Sequence, residues 1–367
     1  FHWADYVNEP INDWKKIAST FLSIPMAHQL VGFFTVADNT DSILKVMRSY
    51  QYQAVVNIST KVSNANTSKL WDTPNNKYGG YVWHTTGSGK TLTSFKAAQL
   101  IANSNDADKV VFLVDRIELG TQSLAAYRGF SDDSESVQGT ENTNKLISIL
   151  KSDNTQDILV VTSIQKMSNI KKGFNSDDDI DEINKKRIVI IIDEAHRSTF
   201  GEMLAIIKET FPKAMYFGFT GTPILEANKK NELSTSDIFG EELHRYLISD
   251  GIKDNNVLGF SVQKVLTYKD KDLRQAVAFN EAKANSLDEV FANPKKADVY
   301  NYYMFKAPMY QTSEIDDSED PGVEDKITSA QYNTDEHRLS VVTNILDNFQ
   351  SMSQNYLFHA IFATSSI

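Results

Sequence analysis

The sequence has no cysteine among its 367 residues, which excludes disulfide bonds and cysteine-ligated metals. This composition fits the reducing environment of the cytoplasm. No apolar run approaches the roughly 20 residues that a membrane-spanning helix needs, and the N-terminal residues do not follow the pattern of a signal peptide. We therefore expect a cytoplasmic protein that has no membrane partner.

The chain also lacks an excess of basic residues, because 37 Lys and Arg are outnumbered by 48 Asp and Glu, for a net charge of -11. This balance argues against a surface that is basic throughout, but it allows a local track of phosphate contacts. The acidic runs at 132–135, 177–182 and 314–325 are typical of solvated loops, and we assign them no function. The sequence begins with Phe1 rather than methionine, so we expect it to be a piece of a longer protein.

Five apolar runs rich in β-branched and aromatic residues predict strands that are buried on both faces. Helical patterns such as 92–102 separate them, and alternating strands and helices favour a parallel sheet. The predicted fold class is therefore α/β, with a parallel sheet flanked by helices. The five runs are Tyr81–Trp83, Val110–Val114, Ile158–Val161, Ile188–Ile192 and Met215–Phe219.

A glycine-rich turn, 84–91, lies between the first predicted strand and a predicted helix. Backbone N–H groups of such a turn and of the following helix N-terminus face a bound phosphate. Lys90 is then expected to reach the β- and γ-phosphates, and the Thr91 hydroxyl to bind Mg²⁺. His84 occupies the position of the usual first glycine, and an incidental lysine after a glycine turn is the alternative interpretation. The candidate nucleotide-binding residues are Thr86, Gly87, Ser88, Gly89, Lys90 and Thr91.

An acidic pair, Asp193 and Glu194, directly follows the fourth predicted strand. The carboxyl ends of parallel strands line the crevice where such sheets bind ligands. We expect Asp193 to hold Mg²⁺ together with Thr91, and Glu194 to accept a proton from the water that attacks the γ-phosphate. His196, two residues later, is expected to couple the nucleotide site to neighbouring loops.

The fifth predicted strand ends in Thr220-Gly221-Thr222-Pro223. Taken alone, this segment suits a plain turn. After a phosphate-binding turn and an acidic pair, it favours a switch loop in which Thr220, Gly221 and Thr222 sense the nucleotide and link it to DNA contacts.

In this order, the three elements resemble motifs I, II and III of superfamily 2 helicases and translocases. The longer strings 84–93 and 193–201 resemble, more specifically, the restriction (R) subunit of type I restriction-modification enzymes. This resemblance implies a RecA-like motor from a bacterium or archaeon, with ATP and Mg²⁺ as cofactors. It implies double-stranded DNA, the modification (M) subunit and the specificity (S) subunit as partners.

The same resemblance implies roles for further positions. Gln51, supported by Arg48, would bind the adenine edge. A second set would contact the DNA backbone, where polar groups bind phosphates without reading sequence. Ordinary surface roles for Arg116 and Gln51 remain open. The second set is Arg116, Thr162, Ser163 and Gln165.

The resemblance also predicts four regions. Residues 1–45 would connect to a nuclease domain that precedes the chain, and 46–260 would form the first RecA-like domain. A mixed connecting segment would follow over 261–355, and 356–367, with a strand-like run at 358–363, would begin a second RecA-like domain. That second domain would supply an arginine to the ATP site, so we expect this chain alone to hydrolyse ATP poorly.

The expected function is ATP-driven translocation along double-stranded DNA, followed by cleavage by a nuclease outside this chain. Another superfamily 2 helicase or translocase is the first alternative. A nucleotide-binding scaffold without turnover is the second, although Lys90, Thr91, Asp193 and Glu194 are all present. A metabolic P-loop kinase would have no use for the Thr-Gly-Thr element.

Overall fold

The chain divides into two compact units, Phe1–Gly259 and Phe260–Ile367, which are treated separately below. The first unit ends one residue before the predicted end of the motor domain. The computed structural model describes residues 3–68, 70–72, 79–114, 117–131, 137–171, 176–193, 200–225, 234–260, 270–309, 322–327 and 334–362.

The N-terminal residues form small elements that pack within the first unit. Two short helices precede an antiparallel hairpin and a long helix, and the Met47 N–H donates to Phe34 O at 3.0 Å where the hairpin leads into that helix. A connection from an upstream nuclease stays a prediction for these residues. The elements are α1 (Trp14–Ser19), α2 (Ile24–Gly32), β1 (Thr35–Asp38), β2 (Ile43–Val46) and α3 (Ser49–Thr67).

A seven-stranded, entirely parallel sheet forms the centre of the first unit, which confirms the predicted α/β class. The strand order is β5-β6-β4-β7-β8-β3-β9. All five predicted strands are present, and two short edge strands, β5 and β9, were not predicted. The strands are β3 (Gly80–His84), β4 (Lys109–Val114), β5 (Val137–Gly139), β6 (Leu159–Ser163), β7 (Ile188–Ile192), β8 (Met215–Thr220) and β9 (Glu242–Tyr246).

Helices cover both faces of this sheet, so alternate residues of one strand enter different cores. Phe112 of β4 packs with α3, α4 and α5, whereas Val111 and Leu113 pack with α6 to α10. This arrangement explains why the central strands carry continuous apolar runs rather than an alternation of apolar and polar residues. The helices are α4 (Lys90–Asn103), α5 (Ile117–Phe130), α6 (Thr143–Lys151), α7 (Ile164–Ser168), α8 (Asp177–Ile183), α9 (Phe200–Thr210), α10 (Thr235–Phe239) and α11 (Ile248–Lys253).

The edge strand β9 is covered by side chains rather than by another strand. Tyr6 and Asn57 both donate hydrogen bonds to Leu243 O, each at 2.7 Å, and Asn8 donates to Arg245 O at 2.8 Å. These bonds occupy backbone acceptors that an exposed edge would offer to another chain. The five apolar runs did not include Glu242–Tyr246, because polar side chains at the sheet edge interrupt its apolar residues.

The second unit is helical where it is described. Its core contains Val277, Val290, Tyr300 and Val323.

The run 358–363 was expected to form a strand, but its described part, 358–362, has no regular secondary structure and is exposed. A strand needs a neighbour to pair its backbone groups, and no strand lies beside this run in the described residues. The helices are α12 (Asp270–Glu281), α13 (Leu287–Phe291), α14 (Pro294–Asn301) and α15 (Asp335–Met352).

Within the described ranges, no helix is both long enough and apolar enough to cross a membrane.

The sheet core provides a test of the fold. Ile190 of β7 is fully buried, so Ile190→Ala should leave a cavity and lower the free energy of unfolding by about 2–5 kcal/mol. Urea denaturation measures this change. Ile43→Ala is the matched control, because Ile43 is 51% exposed on β2 and its loss should change stability by less than about 0.5 kcal/mol. Equal effects of the two substitutions would contradict the assigned burial.

Candidate nucleotide-binding site

The predicted motifs meet at the carboxyl edge of the parallel sheet. The glycine-rich turn follows β3, Asp193 follows β7, and the Thr220–Thr222 segment ends β8. Strand β8 pairs with both β3 and β7, so these two strands are next-nearest neighbours, about 10 Å apart. Such a gap leaves room for a triphosphate between the turn and the carboxylate, with the Thr-Gly-Thr segment at its floor.

The glycine-rich turn has the backbone that a phosphate cradle needs. Gly87 and Gly89 have φ values of 81° and 82°, in the left-handed region that glycine adopts without strain. Ser88 closes the turn, because its N–H and hydroxyl both donate to Thr85 O, at 3.3 and 2.6 Å. Helix α4 begins at Lys90 and has 14 residues, so its N-terminus points into the turn. A Cβ at Gly87 would meet no atom within 4 Å, so this side of the turn is open.

Three side chains at this edge are of the types that bind a magnesium nucleotide. Lys90 is buried, and Thr91 and Asp193 are half-buried. The Asp193 N–H donates to Leu113 O at 3.2 Å, which extends the β4–β7 pairing to the acidic residue. A hydroxyl and a carboxylate are hard oxygen ligands that suit Mg²⁺, and a lysine amine suits phosphate oxygens. The residues present therefore fit the predicted cofactors.

Gln51 lies directly against the glycine-rich turn. Its side-chain nitrogen donates to Ser88 O at 3.0 Å, and its side-chain oxygen accepts from the Arg48 N–H at 2.9 Å. The Tyr50 hydroxyl donates to the same Ser88 carbonyl at 2.7 Å. A Cβ at Gly89 would lie 2.6 Å from the Gln51 nitrogen, so a side chain there would displace the Gln51 amide from the turn. Gln51 and Tyr50 thus hold the turn, and adenine binding by Gln51 and Arg48 stays a prediction.

The Thr-Gly-Thr segment contacts the same turn from the β8 side. A Cβ at Gly221 would lie 3.4 Å from His84 O and 3.6 Å from the Thr86 nitrogen. Thr220 is fully buried, and its hydroxyl accepts from the Thr222 N–H at 3.1 Å. The structure therefore brings together the two segments that the sequence separates by about 130 residues, and a nucleotide-sensing role for the loop stays a prediction.

The predicted DNA-backbone residues of β6 also lie at this sheet edge. Thr162 is buried and its hydroxyl accepts from Thr140 at 2.7 Å, whereas Ser163 caps α7 by accepting from the Lys166 N–H at 3.4 Å. Gln165 is half-buried on α7. Thr162 and Ser163 thus help to shape the β6–α7 junction, and DNA contact by this set stays a prediction. Arg116, Glu194 and His196 lie outside the described residues.

Two features were missed by sequence reasoning. Trp83, the residue before His84, donates from its indole nitrogen to Gly221 O at 3.1 Å. His84 Nε2 and His244 Nδ1 lie 3.0 Å apart behind the turn, and both rings are buried. No sequence signal marked His244, because β9 itself was not predicted.

Burial dominates the chemistry of this histidine pair. It holds the pKa of His84 well below its usual range, helped by the neighbouring His244 and Lys90. Burial also lowers the pKa of His244 to about 4, against a smaller opposing effect of the Tyr6 backbone and Glu242. Both rings are therefore neutral at pH 7 and share one hydrogen between the facing nitrogens. The pair forms an uncharged support beneath a turn that is expected to bind a highly charged ligand.

Comparison with known protein families gives a match that covers most of the parallel sheet and the candidate nucleotide-binding site. The model described as SWI2/SNF2 ATPase matches residues 50–298. The match includes the glycine-rich turn, Asp193 and the Thr-Gly-Thr segment.

Several similar proteins are endonuclease subunits. The type I restriction enzyme SsaAORF53P endonuclease subunit of Staphylococcus saprophyticus is 43% identical over 274 residues, which are 74% of this chain and 28% of that protein. The SauCOLORF180P subunit of Staphylococcus aureus is 39% identical over 300 residues, 82% of this chain and 30% of that protein. This chain thus spans less than a third of the length of these two relatives.

A shorter relative is matched over nearly its whole length. It is the C-terminal part of the putative type I restriction enzyme MpnIIP endonuclease subunit of Mycoplasma pneumoniae, 39% identical over 211 residues, or 57% of this chain and 99% of that protein.

Among solved structures, the DNA-bound Type ISP enzyme LlaBIII is similar at 22% identity and a TM-score of 0.43, over 75% of this chain and 20% of that one.

The buried histidine pair makes stability depend on pH. The unfolded chain protonates His244 below its usual pKa of about 6.5, but the folded chain does so only near pH 4. The stabilisation is therefore complete above pH 6.5 and is lost as the pH falls from 6.5 towards 4. His244→Gln should reduce the slope of the unfolding free energy in this window by up to about 1.4 kcal/mol per pH unit.

Urea denaturation between pH 4.5 and 7.5 measures this slope. His28→Gln is the matched control, because it removes an exposed histidine of α2 that takes no part in the pair. An unchanged slope in His244→Gln would show that the His244 ring is not buried in its neutral form.

Proposed function

Because this chain belongs to the SWI2/SNF2 ATPases and to the endonuclease subunits of type I restriction enzymes, we propose that it is the first RecA-like motor domain of such a subunit. ATP hydrolysis at its sheet edge would drive movement along double-stranded DNA. Cleavage would follow at a nuclease domain outside this chain.

The observation that carries the proposal is the meeting of three motif segments at one sheet edge. The open glycine turn, the Asp193 carboxylate and the Thr-Gly-Thr loop lie at the ends of β3, β7 and β8. A kinase or a simple nucleotide carrier needs the first two. A motor also needs a loop that reads the state of the nucleotide, and the Thr-Gly-Thr segment supports this role because a Cβ at Gly221 would lie only 3.4 Å from His84 O.

Each residue at the edge has a separate task in the proposed reaction. Backbone N–H groups of residues 86–91 bind the phosphates, and Lys90 neutralises the charge on their outer oxygens. Thr91 and Asp193 hold Mg²⁺, which when bound shields the phosphate charge that opposes attack by water. Glu194 accepts the proton of the attacking water. Gln51, which already holds the turn, binds the adenine edge with the support of Arg48.

In this scheme, the ATP site needs a second domain to be complete. Motors of this kind bind ATP between two RecA-like domains, and the second supplies an arginine that stabilises the transferred charge. We place the start of that domain at 356–367, after a connecting segment over 261–355. The chain taken alone would therefore bind ATP–Mg²⁺ weakly and hydrolyse it slowly.

The DNA track would run along the strand ends next to the nucleotide. Thr162, Ser163, Gln165 and Arg116 would contact phosphates, with His196 and the Thr-Gly-Thr loop coupling those contacts to ATP. Contacts of this type are independent of sequence, as a translocase requires. Base recognition would belong to the S subunit, which would join this chain and the M subunit in the bacterial or archaeal cytoplasm.

Two other functions fit part of the observations. A different superfamily 2 motor would have the same sheet edge, and an upstream nuclease domain in the full-length protein separates the two cases. A nucleotide-binding scaffold would keep the turn but not hydrolyse ATP. The intact set of Lys90, Thr91, Asp193 and Glu194 favours an enzyme.

The first test of the proposal is Lys90→Ala in the full-length subunit. Loss of the amine should reduce DNA-stimulated ATP hydrolysis by at least about 100-fold, because removal of one preorganised charge donor costs about 3 kcal/mol of transition-state stabilisation. A coupled phosphate-release assay measures the rate. Lys185→Ala is the matched control, since Lys185 is exposed before β7 at the opposite end of the sheet. Normal hydrolysis by Lys90→Ala would refute the proposed site.

A second substitution separates nucleotide binding from its hydrolysis. Glu194→Gln should retain ATP binding, measured with a fluorescent analogue, and lower kcat by about 10²–10⁴, the usual contribution of a general base. Glu209→Gln, at an exposed position of α9, is the control. Unchanged turnover would mean that another group accepts the proton.

A further inference from the structure

Trp83 lies at the centre of a three-strand junction beside the nucleotide site. In the parallel register, it is paired with Thr220 of β8 on one side and with Arg245 of β9 on the other. It also directly precedes the glycine-rich turn, which begins at His84. Trp83 of β3 thus lies between β8, which carries the Thr-Gly-Thr segment, and the edge strand β9.

The indole of Trp83 ties the Thr-Gly-Thr loop to β3. Its nitrogen donates to Gly221 O at 3.1 Å, and a Cβ at Gly221 would lie 3.4 Å from His84 O and 3.6 Å from the Thr86 nitrogen. The loop therefore runs close to the turn and is bonded to β3 by the indole. The side-chain bond is the one of these contacts that a substitution can remove without altering the turn.

A cation covers the other side of the indole. The Arg245 guanidinium lies 5.0 Å from the centre of the Trp83 ring, within the range of a cation–π contact. Glu242 fixes that guanidinium through two hydrogen bonds, of 2.8 and 2.9 Å. The Tyr81 hydroxyl donates to the same carboxylate at 3.3 Å. The indole is thereby oriented by β9, which keeps its nitrogen directed at Gly221.

We propose that Trp83 is a positioning residue that sets the Thr220–Thr222 loop against the glycine-rich turn and so couples DNA binding to ATP hydrolysis. This proposal builds on the motor function proposed above. Trp83 itself touches neither nucleotide nor DNA in this scheme. It acts through Gly221, with Arg245 and Glu242 holding the indole in place.

This role predicts an effect on turnover rather than on ATP affinity. Phosphate binding by the turn and by Lys90 does not require the indole nitrogen. A loop released from β3, in contrast, would occupy its coupling position for a smaller fraction of the time. DNA would then stimulate hydrolysis less, while hydrolysis without DNA would change little.

The test compares Trp83→Phe with wild type in the full-length subunit assembled with its partners. Phenylalanine keeps an aromatic face beneath Arg245 and removes only the donor to Gly221. We expect kcat for DNA-stimulated ATP hydrolysis to fall about fivefold, the factor equivalent to about 1 kcal/mol for one neutral hydrogen bond. The KM for ATP and the DNA-independent rate should stay within about twofold. Trp14→Phe is the matched control, because Trp14 is 72% exposed on α1.

The outcomes separate this inference from the function on which it builds. If wild type shows no DNA-stimulated hydrolysis, the motor function fails. If wild type is stimulated and folded Trp83→Phe has the same kcat and the same DNA stimulation, only the role of Trp83 is overturned. A rise in KM alone would also overturn it, since that would place Trp83 in nucleotide binding.

A second variant covers the case in which Trp83→Phe does not fold. Arg245 is exposed, so Arg245→Gln should leave the sheet intact and remove the cation above the indole. The ratio of DNA-stimulated to DNA-independent hydrolysis should then fall about twofold, in line with the modest strength of an exposed cation–π contact. An unchanged ratio in this folded variant would contradict the proposal.

Discussion

The pairing of β8 between β3 and β7 is the constraint on which the candidate site depends. It separates the glycine-rich turn from Asp193 by two strand spacings and fills the interval with the Thr-Gly-Thr loop. Direct pairing of β3 with β7 would leave no such interval, and a further strand would put Asp193 out of reach of Thr91. The spacing of parallel strands thus sets the size of the ligand that the edge accepts.

The second requirement is that the turn keep its shape while its phosphate-binding face stays open. Backbone groups that face a ligand cannot also stabilise the loop, so the protein holds it from behind. Gln51 and Tyr50 both bind the Ser88 carbonyl, and the neutral His84–His244 pair lies beneath it. Buried polar groups are costly unless paired, so these contacts also specify one arrangement of the turn. The face towards the ligand is then preorganised before nucleotide arrives.

Most of the fold was predictable because its signals are local. The five central strands are continuous apolar runs, since helices cover both faces of the sheet. The glycine-rich turn was also visible in the sequence, and Gly87 and Gly89 adopt the left-handed backbone that glycine allows. Strand β5 escaped prediction because it has only three residues, and β9 because it carries polar residues such as Glu242 and Arg245. The long-range contacts of the site, such as that of His244 with His84 and that of Trp83 with Gly221, had no local signature at all.

The sequence by itself determined the class of the protein, the positions of its nucleotide-binding and acidic motifs, and their order along the chain. Each of these depends on neighbouring residues and on local backbone preferences. Only the tertiary structure decided which strand lies between which, and therefore that Gly221 lies beside the turn and that Trp83 bonds to Gly221. It also decided that β9 supplies Arg245 and His244 to the back of the site. Strand order is a property of the packed sheet, and no single segment encodes it.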